Sequence, residues 1–234
     1  MNQVTQENLE KNSSNIGFWA ALLTGVLNLS YFVAFVLYQP ILHAPWNGIA
    51  DYAAGFKAGP FIAWVVPCLF LAPAFLISIV CLYQCTKGEK QIFGLLALVF
   101  AVGYAVILAP TYYTQLTVVR HNLLANNLEG LALWLFAFPY PYSIPGAQEG
   151  MGYGFMCVSF IFAARVFGRK KFDRFLFWIF LGSGIFGSVV FTDLLFPLPW
   201  PIVIADLVIE GILLSITPFA LAVYFRRKGK GAES

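Results

Sequence analysis

Charge is what this sequence has least of. Only 11% of its 234 residues are Asp, Glu, Lys or Arg, whereas a soluble domain carries about a quarter, so too few charges remain to cover a water-facing surface. Histidine is scarcer still: the 2 present, His43 and His121, cannot build the histidine boxes of a di-iron oxidase. Neither stands mid-span beside a serine, which disfavours a rhomboid-type dyad despite the LGSG around Ser183. No HExxH, GxGxxG or P-loop occurs, and the paired Asp-rich motifs of prenyltransferases are missing. The 4 cysteines support no disulfide framework, since Cys68, Cys81 and Cys157 fall inside apolar runs and Cys85 at the edge of one. Cys81 and Cys85 share a helix face, yet without two further ligands they make no metal site. No metal is expected, and no cofactor is identified. A basic face interleaved with aromatics is also lacking, which excludes nucleic acid as a partner.

Apolar runs fill the space that charge vacates: 60% of the chain is hydrophobic, with 24 Phe. A stretch of about 18 residues or more crosses a hydrocarbon core of about 30 Å, and runs of that kind cover Ile16–Tyr38, Phe61–Tyr83, Ile92–Leu116, Ile144–Phe167, Phe175–Phe196 and Pro201–Phe225. The expected fold is therefore all-α: a polytopic six-helix transmembrane bundle whose partner is the lipid bilayer. All of the 14 Lys and Arg except Lys57 and Arg120 fall on one side of this topology, so the positive-inside rule puts both termini in the cytoplasm. The expected organisation is a cytoplasmic tail at 1–15, a membrane domain at 16–225 and a basic cytoplasmic tail at 226–234, in the inner or plasma membrane of the cell. The first run follows a polar tail rather than a basic n-region, so it is expected to be retained and not cleaved as a signal peptide.

Both long connections lie on the outer side. QPILHAPWNGIADYAAGFKAG joins the first two spans, and its Pro, Asn and Gly content predicts an ordered irregular loop capping the bundle. Between spans three and four, LEGLALWLFAF is apolar but too short to cross, which predicts a short interfacial or re-entrant helix. It serves either as a membrane-surface anchor or as a lid. Small residues recur at helix-packing intervals: Gly146, Gly150 and Gly154; Gly17, Ala21 and Gly25; Ser183 with Gly187, and Gly184 with Ser188. Such ridges let helix backbones approach closely where no hydrophobic effect drives association, and a homo-oligomer is the lesser reading of them.

Against this background the buried acids stand out. An acid at the centre of a membrane helix costs about 2.5–3.5 kcal/mol on the insertion scale, and the last span holds two, Asp206 and Glu210, one helical turn apart. From the helix rise, Asp206 lies about 8 Å and Glu210 about 14 Å below the outer boundary, with Asp193 at about 6 Å and Glu149 at about 8 Å. Arg120 follows span three on the same side, and Glu129 lies in the apolar loop. Two carboxylates one turn apart repel when both are ionised, and a pair sharing one proton can act as a proton or cation site. The alternative is structural: Arg120 pairs with one acid, and the others share protons or bond to Gln115, Tyr112, Tyr113 and Tyr153. His121 reads as a solvated loop residue at the headgroup boundary.

WNGIADYA at 46–53, YYTQLTVVR at 112–120, LEGLAL at 128–133 and EGMGYGFM at 149–156 resemble segments of a family of uncharacterised prokaryotic multi-pass membrane proteins. The likeness runs from about residue 16 to 227. It implies a six-helix membrane protein and carries over no catalytic role; its segments include Arg120, Glu129 and Glu149 but not Asp206 or Glu210.

The leading expectation is an outward-facing, acid-lined cavity that binds, and moves, a small molecule or cation with proton coupling. In it Asp206 and Glu210 form the proton or cation site, Arg120 the counter-charge, and Glu149 and Asp193 the rim. Glu129, Tyr112, Tyr113, Gln115 and His121 form the lid or outer rim. Two alternatives stay open: a membrane-embedded enzyme acting on a lipid or isoprenoid-like substrate through a carboxyl acid or base, and a structural partner of another membrane protein.

Overall fold

In the computed structural model residues 3–42, 46–136, 143–196 and 198–231 are described, and among them the chain is helix and loop without a strand. The helices are α1 (Gln3–Leu42), α2 (Ile49–Gly55), α3 (Ala58–Gln84), α4 (Gln91–Thr114), α5 (Arg120–Leu124), α6 (Ile144–Ala164), α7 (Lys171–Leu195) and α8 (Trp200–Gly231). A 3-10 turn, Gly88–Lys90, precedes α4, and a π-turn, Gln115–Val119, links α4 to α5. Among the described residues four segments, Leu9–Ala34, Ala58–Gln84, Gly88–Leu124 and Val208–Lys230, are long and apolar enough to cross a membrane.

Element ends follow from local chemistry. Ser143 caps α6, its Oγ accepting from the Gly146 amide at 3.1 Å, and Pro145 sits in the first turn, where a missing N–H costs nothing. Pro67 and Pro73 lie inside α3, Pro110 inside α4 and Pro218 inside α8, which membrane helices tolerate because neighbouring groups re-satisfy the freed backbone. Two helices outrun their apolar runs: α1 begins at Gln3 rather than near Ile16, and α8 continues through the basic residues to Gly231. The segment 128–138 forms a 3-10 turn at Leu131–Trp134 and then extended backbone at Leu135. Its last two residues lie outside those described.

The long helices pack in a closed order of neighbours: α1 on α3, α3 on α4, α4 on α6, α6 on α7, α7 on α8, and α8 back on α1. Glycines set the closest approaches. A Cβ on Gly184 would stand 2.7 Å from the Cys157 carbonyl oxygen of α6, and one on Gly17 would stand 2.8 Å from the Phe225 ring of α8. Polar pairs cross four of these seams: Thr24 with Ser78 at 3.4 Å, Ser159 with the Ala97 carbonyl at 2.8 Å, Ser183 with Thr217 at 2.8 Å, and Asn28 with Ser215 at 3.4 Å. Buried aromatics such as Trp64, Phe75, Tyr104, Phe160 and Phe180 fill the interior.

The outward surface is as apolar as the core. Trp19, Val106 and Trp178 are each more than 60% exposed, at 62%, 65% and 63%, and Leu23, Val99, Ile185, Val208 and Ile212 join them. Soluble monomers rarely expose apolar area on this scale; lipid accepts it.

The two ends of the molecule differ in chemistry. At one, Glu10 of α1 bonds to Lys87 and lies 3.2 Å from Lys228 of α8. Lys228 also donates to the Cys85 carbonyl at the end of α3, and Lys90 to the Val166 and Phe167 carbonyls after α6. Cations thus satisfy orphan carbonyls at two helix C-termini, where the dipole favours them. At the other end, Val119, Leu123, Leu131 and Leu135 form a small core with Trp46, Ile49, Tyr52 and Phe56. The two long connections therefore close over each other as one cap.

Candidate functional site

Pro110 has no N–H to give the preceding turn, and shortly after it α4 widens into the π-turn at Gln115–Val119. Turns of this type inside helices are frequent at functional sites. Gln115, fully buried, uses both ends of its amide: Nε2 donates to the Trp134 carbonyl at 2.9 Å, and Oε1 accepts from the Phe136 amide at 3.2 Å. The side chain thereby ties the cap to α4. In the cap core, burial pushes the Tyr52 hydroxyl up to about 12, so it stays neutral.

Below the cap, Tyr112 of α4 donates its hydroxyl to Glu149 Oε1 of α6 at 2.7 Å. One position earlier on each helix, Thr111 donates to Gln148 at 3.0 Å. Glu149 itself is half-buried. Tyr31 of α1 is likewise half-buried and stands within electrostatic reach of both Glu149 and Glu210. Glu210 of α8 is 7% exposed. It owes its room to Gly187 of α7, where a Cβ would stand 2.8 Å from its Oε1 and 2.6 Å from the Cys157 sulfur. Cys68 of α3 lies within electrostatic reach of Glu149. Trp64 turns its edge to Tyr112 at 6.4 Å between rings, and Phe75 does so to Tyr104 at 5.4 Å. Glu149 thus bonds to Tyr112 of α4, and tyrosines from α1 and α6 lie within electrostatic range of it.

Comparison with family models, with curated proteins and with solved structures finds no match. The functional reading is carried by the chemistry of these residues.

Of the residues singled out in the sequence, Glu149, Glu210, Tyr112 and Tyr153 are brought to this interior cluster. Asp193 and Asp206 lie on α7 and α8, but their side chains fall outside the described residues, as does His43 entirely. Arg120 opens α5 and donates through Nη2 to His121 Nε2 at 2.9 Å. Among the described residues it pairs with no acid, and its buried Nε has no hydrogen-bond partner. That bond makes His121 Nε2 an acceptor, so Nδ1 carries the hydrogen donated to the Thr117 carbonyl at 2.7 Å. Tyr113, His121 and Glu129 are exposed.

Tyr31, Tyr104, Cys68 and Gly187 were not singled out as site residues. The available signal was a tyrosine inside an apolar run, since a buried phenol usually finds a partner. Among the described residues no group of three or more His, Cys, Asp and Glu could hold a metal ion. A pocket of about 70 Å³ lies between Pro110, Thr111, Gln115, Trp134, Pro145 and Gln148. It suits a few waters, well short of the roughly 300–1,000 Å³ of a drug-sized ligand site. Chemically, carboxyl, phenol and amide groups that can donate or accept a hydrogen bond are gathered between α1, α4, α6 and α8.

Proposed function

We propose that this chain is a six-span integral protein of the inner or plasma membrane, with both termini cytoplasmic, that binds a proton or small cation at Glu149 and Glu210 and couples it to movement of a small solute. The resemblance to uncharacterised prokaryotic membrane proteins belongs to the same proposal. Asp206, Asp193 and Arg120 would complete the outer half of the site, and the cap built on Gln115 would cover it. The observation that carries the reading is Tyr31, which lies within electrostatic range of Glu149 on α6 and of Glu210 on α8, inside a molecule whose outside is apolar. An intramembrane acid is a functional-site hypothesis by default, because its insertion cost must be met by a role or a partner. Apolar outer faces on α7, at Trp178 and Ile185, and on α8, at Val208 and Ile212, support six crossings.

The test is proton flux into vesicles holding the purified protein and a trapped pH dye, driven by a potassium diffusion potential. Glu149→Gln and Glu210→Gln should each abolish the flux in protein that still elutes as one species. Flux unchanged in both variants would sink the reading. If the two variants alter only thermal stability, the assembly-partner reading, built on the small-residue seams, takes its place.

A further inference from the structure

The basic end carries more cations than its internal contacts use. Lys87, Lys90 and Lys228 are engaged with Glu10 or with helix carbonyls. Lys171 and Arg174 of α7, and Arg226, Arg227 and Lys230 of α8, are all exposed, and among the described residues none of them bonds to an acid. Asp173, the acid on the same stretch of α7, is half-buried against the turn before it, where a Cβ on Gly168 would meet its Oδ2 at 2.6 Å.

The start of α7 and the end of α8 come together here, for the Arg227 guanidinium lies over the Phe172 ring, 4.0 Å from its centroid. Stacking occupies the face of the guanidinium and leaves its N–H edges, and that planar fork matches a phosphate bidentately. Arg226 makes a looser contact of 6.0 Å with Phe18 of α1.

Apolar surface continues directly from these cations. On α7, Phe175 and Trp178 extend the face begun by Lys171 and Arg174, at spacings of three and four residues, and are 48% and 63% exposed. On α8, Val223 stands one turn before Arg227 and is 42% exposed. From the helix rise, Trp178 lies about 10 Å from Lys171 along α7, so a headgroup at the cations leaves its acyl chains beside the aromatics. A soluble anion satisfies only the charged part of this patch, and a zwitterionic lipid brings a cation of its own. An acidic phospholipid covers both parts, and clustered Lys and Arg next to a membrane helix recognise such headgroups.

We propose that the α7–α8 seam at the basic end is a binding site for an acidic phospholipid, its phosphate held by Arg227, Arg174 and Lys171 and its acyl chains lying on Phe175, Trp178 and Val223. Phe172 is a positioning residue, which holds the Arg227 plane ready for the phosphate. The site is separate from Glu149 and Glu210 and does not depend on their role.

Fluorescence quenching tests this on the full chain in vesicles of phosphatidylcholine and phosphatidylglycerol, with bromine on the acyl chains of one lipid or of the other. Each protein is compared with its Trp178→Phe counterpart, so that the difference isolates Trp178. Brominated phosphatidylglycerol should quench Trp178 beyond its share of the bilayer, with a preference of about tenfold. Arg227→Lys keeps the charge but loses the planar fork, and Phe172→Leu removes the platform; each should lower the preference by about threefold. Arg227 is exposed, so its Lys variant keeps the fold and gives the reading by itself. A preference unchanged in Arg227→Lys marks diffuse attraction to net charge and overturns the site. Equal quenching by the two lipids overturns it as well. Quenching by neither would mean that protein, such as a second copy of the chain, covers the face, and loss of the preference on adding inorganic phosphate would make it a site for soluble anions; both outcomes also overturn the proposal.

Discussion

At the scale of single residues, cost separates the groups that hold structure from those that hold function. Gln115 makes two hydrogen bonds to cap backbone, and Gln115→Leu strands both a carbonyl and an amide. The expected loss is about 1–3 kcal/mol, read as a lower denaturant midpoint in micelles together with faster hydrogen exchange at the Phe136 amide. No change in either would mean the cap does not depend on it. Glu149 behaves otherwise: Tyr112→Phe removes its one hydroxyl donor and should impair proton flux more than it impairs the melting temperature. The opposite ranking would make the pair structural. Glu149 and Glu210 were legible in the sequence because an acid in an apolar run has few inexpensive places to go. Tyr31 and Tyr104 were not, because in sequence a tyrosine in such a run is indistinguishable from one that packs as phenylalanine does. Arg120 was read as the counter-charge of the acids; among the described residues its bond runs to its own neighbour, His121, a local option that linear spacing does not disclose.

Elements were more legible than their contacts. The apolar runs coincide with six long helices, since membrane thickness fixes a minimum length that few other demands reproduce, and the predicted start of α6 at Ile144 agrees to the residue because Ser143 and Pro145 form a strong local signal. The ends of α1 and α8 were not legible, for the helical backbone continues into polar residues that no longer need the bilayer. The small-residue ridges pointed to close packing but not to partners. On α7, a Cβ at Gly184 would stand 2.7 Å from a backbone oxygen, that of Cys157, whereas on α6 the Cβ of Gly152 would meet only the side chain of Leu108 at 2.6 Å. A leucine end can rotate and a helix backbone cannot. Gly184→Ala should therefore cost about 1–3 kcal/mol, and Gly152→Ala clearly less. Equal losses, measured by unfolding in the same detergent, would mean that the α6–α7 spacing is not set by Gly184.

Across the whole molecule, the asymmetry between its ends is the feature on which the proposed membrane orientation rests. Glu10, Lys87, Lys90 and Lys228 tie α1, α3, α4, α6 and α8 together at the basic end. The opposite end exposes Glu129 and carries Lys57 and Arg120 as its cations. Loop cations resist translocation, so the proposed orientation puts the basic end inward. All four cysteines are buried and free, so the native chain gives little background with a membrane-impermeant maleimide. In intact cells Glu129→Cys should label at once, while Arg169→Cys, at an exposed position in the basic turn between α6 and α7, should label only after the membrane is opened. The reverse pattern would invert the molecule and turn its acid-bearing half to the cytoplasm. Labelling of both sites in intact cells would break the six-span topology itself, because positions 129 and 169 are separated by α6 alone, and one crossing must put them on opposite faces.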